Sequence, residues 1–227
     1  MKVKNLSILL TLIGVATAFA DPQLDSMTDP RDGKVYRIVQ IYEQIWMAEN
    51  LNYETKNSFC YNDSLSNCQK YGRLYTWTAA LNACPDGWHL PSEKEWMTLR
   101  ENVGRMNSDN HYHYVGKLLK SKNGWNNERN GSDTYGFSVI PAGRMDRLTT
   151  SKERVFSRKG SLAYFWTSSE RDSEHGKYVY FFKLHSMPPV SSDTSSYYNS
   201  NHMQDDKNYG YSVRCKNNVE IKNLEYE

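Results

Sequence analysis

Residues 84–96 read "CPDGWHLPSEKEW" and set a cysteine, two tryptophans, a turn and a helix start side by side. Asp86-Gly87 is a turn dipeptide that stops whatever precedes it. Ser92 followed three residues later by Glu95 forms a capping box, so a helix begins at residue 93. Trp96, Leu99 and Val103 fall at i, i+3 and i+7, which gives that helix one apolar face running to about Val103. Trp88 and Trp96 are expected to fill a core, and Cys84 to staple it. The stretch is a structural corner.

Upstream, "LYTWTAALNAC" (74–84) reads as a short helix, and "KVYRIVQIYEQIWMAENL" (34–51) as a β-hairpin in which Val35, Arg37, Val39 and Ile41 alternate with Tyr36, Ile38, Gln40 and Tyr42. Residues 52–72 are expected to be a stapled loop. Downstream, "YHYVGKLLKS" (112–121) predicts a third helix with Val115, Leu118 and Leu119 inward. "GFSVIPAG" (136–143), "AYFWTSS" (163–169), "YVYFFKL" (178–184) and "YGYSVRC" (209–215) are strand candidates. The stretch 186–208 is too rich in Ser, Pro and Asn to pack and is expected to be a long loop. No internal repeat is visible. A hairpin followed by helices and then short strands makes an α+β domain.

The chain begins with a basic start at Lys2 and Lys4, then an apolar run, then Ala18-Phe19-Ala20. That pattern is a secretory signal peptide over 1–20, with cleavage before Asp21. The expected organisation is therefore a signal peptide at 1–20, a leader at 21–33, a folded domain at 34–216 and a tail at 217–227. Export makes disulfides stable, and all four cysteines lie beyond the signal. Four cysteines permit three pairings. The polar, turn-rich "CYNDSLSNC" favours Cys60 with Cys68, which leaves Cys84 with Cys215. There is no C-x-x-C spacing for a metal site.

Lys and Arg number 28 against 26 acids, and loss of Lys2 and Lys4 with the signal leaves a balanced chain. Balance gives no electrostatic reason for a nucleic-acid partner or an anionic membrane. The most basic stretch, Arg144 to Lys159, is read as a solvated loop. No later segment is apolar enough to span a bilayer.

The blocks "DGKVYRIVQIYEQIWMAENLNY", "CYNDSLSNCQKYGRLYTWTAALNACPDGWHLPSEKEW", "NGSDTYGFSVIPAGR", "AYFWTSSE" and "GYSVRC", in that order, closely resemble the Fibrobacter succinogenes major paralogous (FISUMP) domain over about residues 28–216. The resemblance implies a C-type lectin-like fold: two to three helices packed on a twisted antiparallel sheet with long loops. In that fold a bridge joins the first helix to the last strand, as Cys84–Cys215 would here. It also implies export and association with cell surfaces.

Three functions compete. In the first, the chain is a non-catalytic binding module for carbohydrate or protein ligands, outside the cytoplasm: secreted, periplasmic or at the cell surface. Flat aromatic faces beside amides suit sugar rings, which singles out Trp125, Asn126, Asn127 and Asp133 in "GWNNERNGSD", with Tyr197 and Tyr198 in the long loop. The E-P-N or Q-P-D element of calcium-dependent lectins is missing, so no metal or other cofactor is expected, although Asp205 and Asp206 form an acidic pair. In the second, the chain is an enzyme: "WHLPSEKEW" and "GYSVRC" also look like blocks of formylglycine-generating proteins, but their G-N-V-W-E-W segment and late cysteine pair are absent. Cys215 would matter to that chemistry only as a free thiol. His111 and His113 diverge on a helix, His89 reads as a satisfied structural histidine, and Glu93/Glu95 or Asp172/Glu174 read as surface acids, so a non-enzyme is expected. In the third, the domain is a rigid surface spacer.

Overall fold

The structure is a computed structural model that describes residues 25–106, 112–146, 154–173, 176–185 and 207–219. Expectations for the signal peptide, for Tyr197, Tyr198, Asp205 and Asp206, for His111 and Glu174, and for the tail beyond residue 219 lie outside the described residues.

Strand β2 (Val35–Ile41) turns at Tyr42–Glu43 into β3 (Gln44–Met47), the predicted hairpin. Strand β1 (Asp25–Thr28) lies in the stretch read as a leader and pairs antiparallel with β2. Asp29 anchors the turn after it: its buried carboxylate accepts from the Arg31 side chain at 2.7 and 2.9 Å. Residues 52–72, read as a loop, hold β4 (Ser58–Phe59) and α1 (Leu65–Tyr71), stapled by Cys60–Cys68. The helix expected over 74–84 is short. Leu74–Tyr75 is β5, paired with β4, and only Trp77–Ala80 (α2) is helical, capped by the Thr76 hydroxyl. Cys84 therefore follows α2 by four residues rather than ending the first helix.

Trp88–His89 is β6, and α3 (Glu93–Val103) has the predicted capping box and buries Trp96, Leu99 and Val103. Strands β7 (Arg105–Met106) and β8 (Tyr112–His113) pair, and α4 (Val115–Leu119) buries Val115 and Leu119. Residues 136–143 form no regular strand. They touch α4's end through a parallel bridge between Lys120 and Val139. The described part of the basic stretch is a hairpin, β9 (Arg144–Asp146) with β10 (Val155–Ser157), and not simply a solvated loop. Strands β11 (Leu162–Ser173) and β12 (Gly176–His185) form a long antiparallel ribbon, and β13 is Lys216–Asn217.

The main sheet runs β1-β2-β3-β13-β6, so β13, the last strand among the described residues, is an interior one. The residues just before β13 bond to four other segments. Gly210 pairs with Met145, Tyr211 with Tyr75 and Ser212 with Phe165, while the Val213 and Cys215 carbonyls accept from Leu51 and Met47. The Cys84–Cys215 disulfide fixes this segment beside the 84–96 corner.

Side chains alternate across extended backbone, and the alternation divides the core in two. Val39, Ile41, Trp46 and Phe165 join Trp96, Leu99, Trp125 and Phe137 in one cluster. Tyr36, Met47, Tyr164, Trp166, Tyr211, Val213 and Cys215 join Tyr75 and Trp77 in the other. Ring pairs such as Trp46–Trp96 at 4.7 Å and Trp166–Tyr211 at 4.2 Å show that aromatics carry this packing. The indole N–H groups of Trp77, Trp125 and Trp166 donate to backbone carbonyls, so these rings are buried with their polar edges satisfied. The architecture is a mixed helix and antiparallel-sheet domain. Among the described residues, no helix is long and apolar enough to cross a membrane.

Candidate functional site

The alternation that sends Tyr211, Val213 and Cys215 to one face sends Arg214 to the other. Arg214 is fully buried, with its guanidinium over the Phe137 ring at 4.5 Å. Nε donates to Asn50 Oδ1 at 3.1 Å, Nη1 to the Phe137 carbonyl and Nη2 to the Ser138 carbonyl at 3.0 Å. All three acceptors are neutral, so the charge has no carboxylate in contact. Burial, aided by Arg37, lowers the Arg214 pKa to about 9, against opposing pulls from Asp133 and Glu49.

Arg214 underlies a cleft of about 320 Å³. One wall is the start of β2 and the residues after β3, another is the end of α1, and the third is the turn at Ser138–Ile140. The walls are held from behind. Gly72 takes a φ of +74°, and a Cβ there would stand 2.7 Å from the Asn50 Cβ, so only glycine lets α1's end approach this closely. Asn50 Nδ2 donates to the Tyr71 carbonyl at 2.9 Å, and Cys68, tied to Cys60, lies in the wall itself. Tyr36 is a buried strut whose hydroxyl accepts from the Asn52 N–H at 3.0 Å; burial pushes its pKa up to about 12.

Polar groups line the opening. Arg37 and Glu49 face one another at 3.4 Å, both side chains 42% exposed. Lys34 bridges Asp32 at 2.7 Å and donates to the Asn52 carbonyl. Lys70 is exposed over the Tyr71 ring at 5.3 Å, and Gln69 is exposed beside it.

A second polar cluster sits in the 84–96 corner. His89 Nε2 meets Glu95 Oε1 at 2.8 Å and Nδ1 meets Asn218 Oδ1 at 2.5 Å. Both nitrogens face acceptors, a demand met by the imidazolium form. The bond to Glu95 raises the His89 pKa, opposed by burial. Partial burial works to raise Glu95, but bonds from His89 and from the Ser92 backbone and hydroxyl outweigh it and bring Glu95 down to about 2. Lys216, nearly buried, adds a contact to Glu95 at 3.2 Å. The cluster ties β6, α3 and β13 together, a structural task.

A family model described as the Fibrobacter succinogenes major domain matches residues 39–216. The chain belongs to this family. No curated protein and no solved structure shows a match.

Within this Fibrobacter succinogenes major domain, the residues singled out from sequence are dispersed. Trp125 is 4% exposed in the core, its indole donating to the Val139 carbonyl at 3.0 Å and the Lys120 ammonium 4.8 Å from its ring. Its expected role as a sugar-stacking face is corrected accordingly, because no open ring face is left. Asn126 and Asn127 are exposed on a 3₁₀ turn (Asn126–Glu128), away from the cleft lining. Asp133 instead works behind the cleft. Its carboxylate accepts from the Ser138 N–H at 2.7 Å and from the Ser138 hydroxyl, holding Ser138 at a φ of +53°, where its carbonyl meets Arg214. Cys215 is bonded to Cys84, and the described residues hold no free cysteine. Sequence reading missed the cleft, because its walls come from four stretches far apart in sequence. One signal was present: an arginine inside the apolar "YSVRC".

Proposed function

We propose that this family member is an exported, non-catalytic binding module with a C-type lectin-like fold, its signal peptide removed before Asp21 and its folded domain including β1 ahead of residue 34. Carbohydrate is the ligand class, and the cleft over Arg214 is where the ligand seats. What supports the reading is one observation: a polar cleft of about 320 Å³ whose walls are fixed by a disulfide, a glycine contact and a buried hydrogen-bonded arginine. That volume is at the small end of ligand pockets, about 300–1,000 Å³, and fits one or two sugar rings. Asn52, Gln69 and Glu49 offer hydroxyl partners, and the half-exposed Tyr71 offers ring surface. Walls that do not reorganise spare a ligand the entropy of ordering them.

The test is a screen of the purified protein on glycan and peptide arrays, followed by amide chemical-shift mapping of any hit. Selective glycan retention with shifts at Asn50, Gly72 and Ser138 supports the reading. Uniform silence on both arrays overturns it in favour of a surface spacer, and shifts elsewhere overturn the cleft as the seat of the ligand.

A further inference from the structure

We propose that the cleft selects a carboxylate-bearing saccharide, of the uronic-acid class, over neutral sugars; this rests on the cleft being the carbohydrate site. Four cations line it, Lys34, Arg37, Lys70 and Arg214, against the single carboxylate of Glu49. Counting the acids just outside, Asp32 at Lys34 and Asp133 behind Ser138, still leaves a positive excess. The excess is arranged in depth. Lys70 stands exposed at the rim with no ion pair among the described residues, and its flexible stem lets the ammonium swing over the opening. Arg214 is sealed beneath the floor, hydrogen-bonded only to neutral oxygens. It makes no direct contact with a ligand, but its field passes through low-dielectric protein and is screened far less than that of a surface charge. A concave site backed by such a charge draws anions inward.

Saccharide is favoured over acidic peptide by topology. The one strand in the wall, β2, lies between β1 and β3 in the sheet, so an extended peptide finds no free sheet edge there to pair with. The amides and half-exposed tyrosine around the rim are partners for hydroxyls and sugar faces.

The experiment titrates the full protein with tri-galacturonate, maltotriose and tri-glutamate, following amide shifts at Asn50, Gly72 and Ser138. Tri-galacturonate is expected to bind at least tenfold tighter than maltotriose in 50 mM salt, and to weaken several-fold in 500 mM salt. Lys70→Gln is expected to weaken tri-galacturonate about three- to tenfold, and Glu49→Gln to tighten it about threefold, each change being larger for tri-galacturonate than for maltotriose. Equal binding of tri-galacturonate and maltotriose overturns the charge selection while leaving the cleft as a carbohydrate site. Tri-glutamate binding as well as tri-galacturonate overturns the saccharide assignment. Silence from all three overturns this proposal, and the array screen decides the broader one separately.

Discussion

Replacing Glu95 by Gln tests whether the 84–96 corner is held by charge. Glu95 is brought from the ordinary 4.5 to about 2, a difference on the order of 3 kcal/mol. The side chain keeps 24% exposure, so solvent screening reduces its contribution to about 2 kcal/mol. A glutamine keeps an oxygen for the Ser92 N–H, so part of the cap survives, but Lys216, 4% exposed, loses its carboxylate. The expected loss is about 2–3 kcal/mol at pH 5.5. The sign of the pH dependence follows from both partners. Glu95 has a folded pKa below its unfolded one, so its contribution is complete above about pH 4.5 and drains as pH falls toward 2. His89 has a folded pKa raised above 6.5, so its contribution is complete below 6.5 and drains as pH rises through the raised value. Lys216 faces the same pair and opposes His89 protonation, which the variant leaves unbalanced. Urea unfolding monitored by tryptophan fluorescence at pH 3, 5.5 and 8.5 gives the gap between the two proteins. The gap is expected to be widest at pH 5.5, with more than about half of the Glu95 contribution gone at pH 3. A gap of constant size at all three pH values would refute the electrostatic account and leave only a neutral cap.

The two disulfides should differ in weight. By chain entropy, replacing Cys84 and Cys215, 131 residues apart, with serines costs about 5 kcal/mol, and replacing Cys60 and Cys68, 8 apart, costs about 2.5; a larger loss for the short loop in denaturant titrations contradicts this. Arg214→Lys is expected to cost about 3 kcal/mol, since one ammonium cannot span three carbonyl-type acceptors set for a planar fork, and calorimetry reads the change. Gly72→Ala should cost about 3 kcal/mol through its positive φ and the crowding at Asn50, and should narrow the cleft; an unchanged melting temperature counts against the packing described. Trp125→Ala should cost about 3–5 kcal/mol, as for a core aromatic, whereas a surface sugar platform would be lost with almost no change in stability.

Local signals were legible in sequence wherever the deciding residues are neighbours. The capping box at Ser92 and Glu95, the 34–51 hairpin and the Cys60–Cys68 pairing each depend on contacts a few residues apart, and each stands as read. Misreadings came where tertiary pairing overrides local preference. Leu74–Tyr75 carries a helix-compatible pattern, yet it becomes a strand because Phe59 and Tyr211 offer ladder partners. Asp25–Thr28 is too polar to read as a strand, but the β2 edge beside it needs covering. Trp125 sits among amides in a loop and so looks exposed. Only the distant Val139 carbonyl and the Phe137 cluster reveal that the indole points inward. Asp133 was singled out for its chemistry, and its place as the support of Ser138 follows from a left-handed turn that sequence does not announce.

The cleft and the core are linked through the end of the chain. Residues 209–217 bond to Met145, Tyr75, Phe165, Leu51, Met47 and His89, so an interior strand of the main sheet is the last in sequence among the described residues. Such long-range pairing carries a large loop-closure entropy before its contacts form, and the Cys84–Cys215 bond offsets it by shortening the open loop. Arg214 lies in this same segment, between the disulfide and the Ser212 pairing, and its guanidinium sets the floor through Asn50 and Ser138. The cleft therefore cannot be shaped before the last strand docks, and weakening that strand should loosen Asn50 and Ser138 along with the core. A ligand seated against those residues would in turn stabilise the closed strand by mass action, so binding and resistance to unfolding should rise and fall together in this protein.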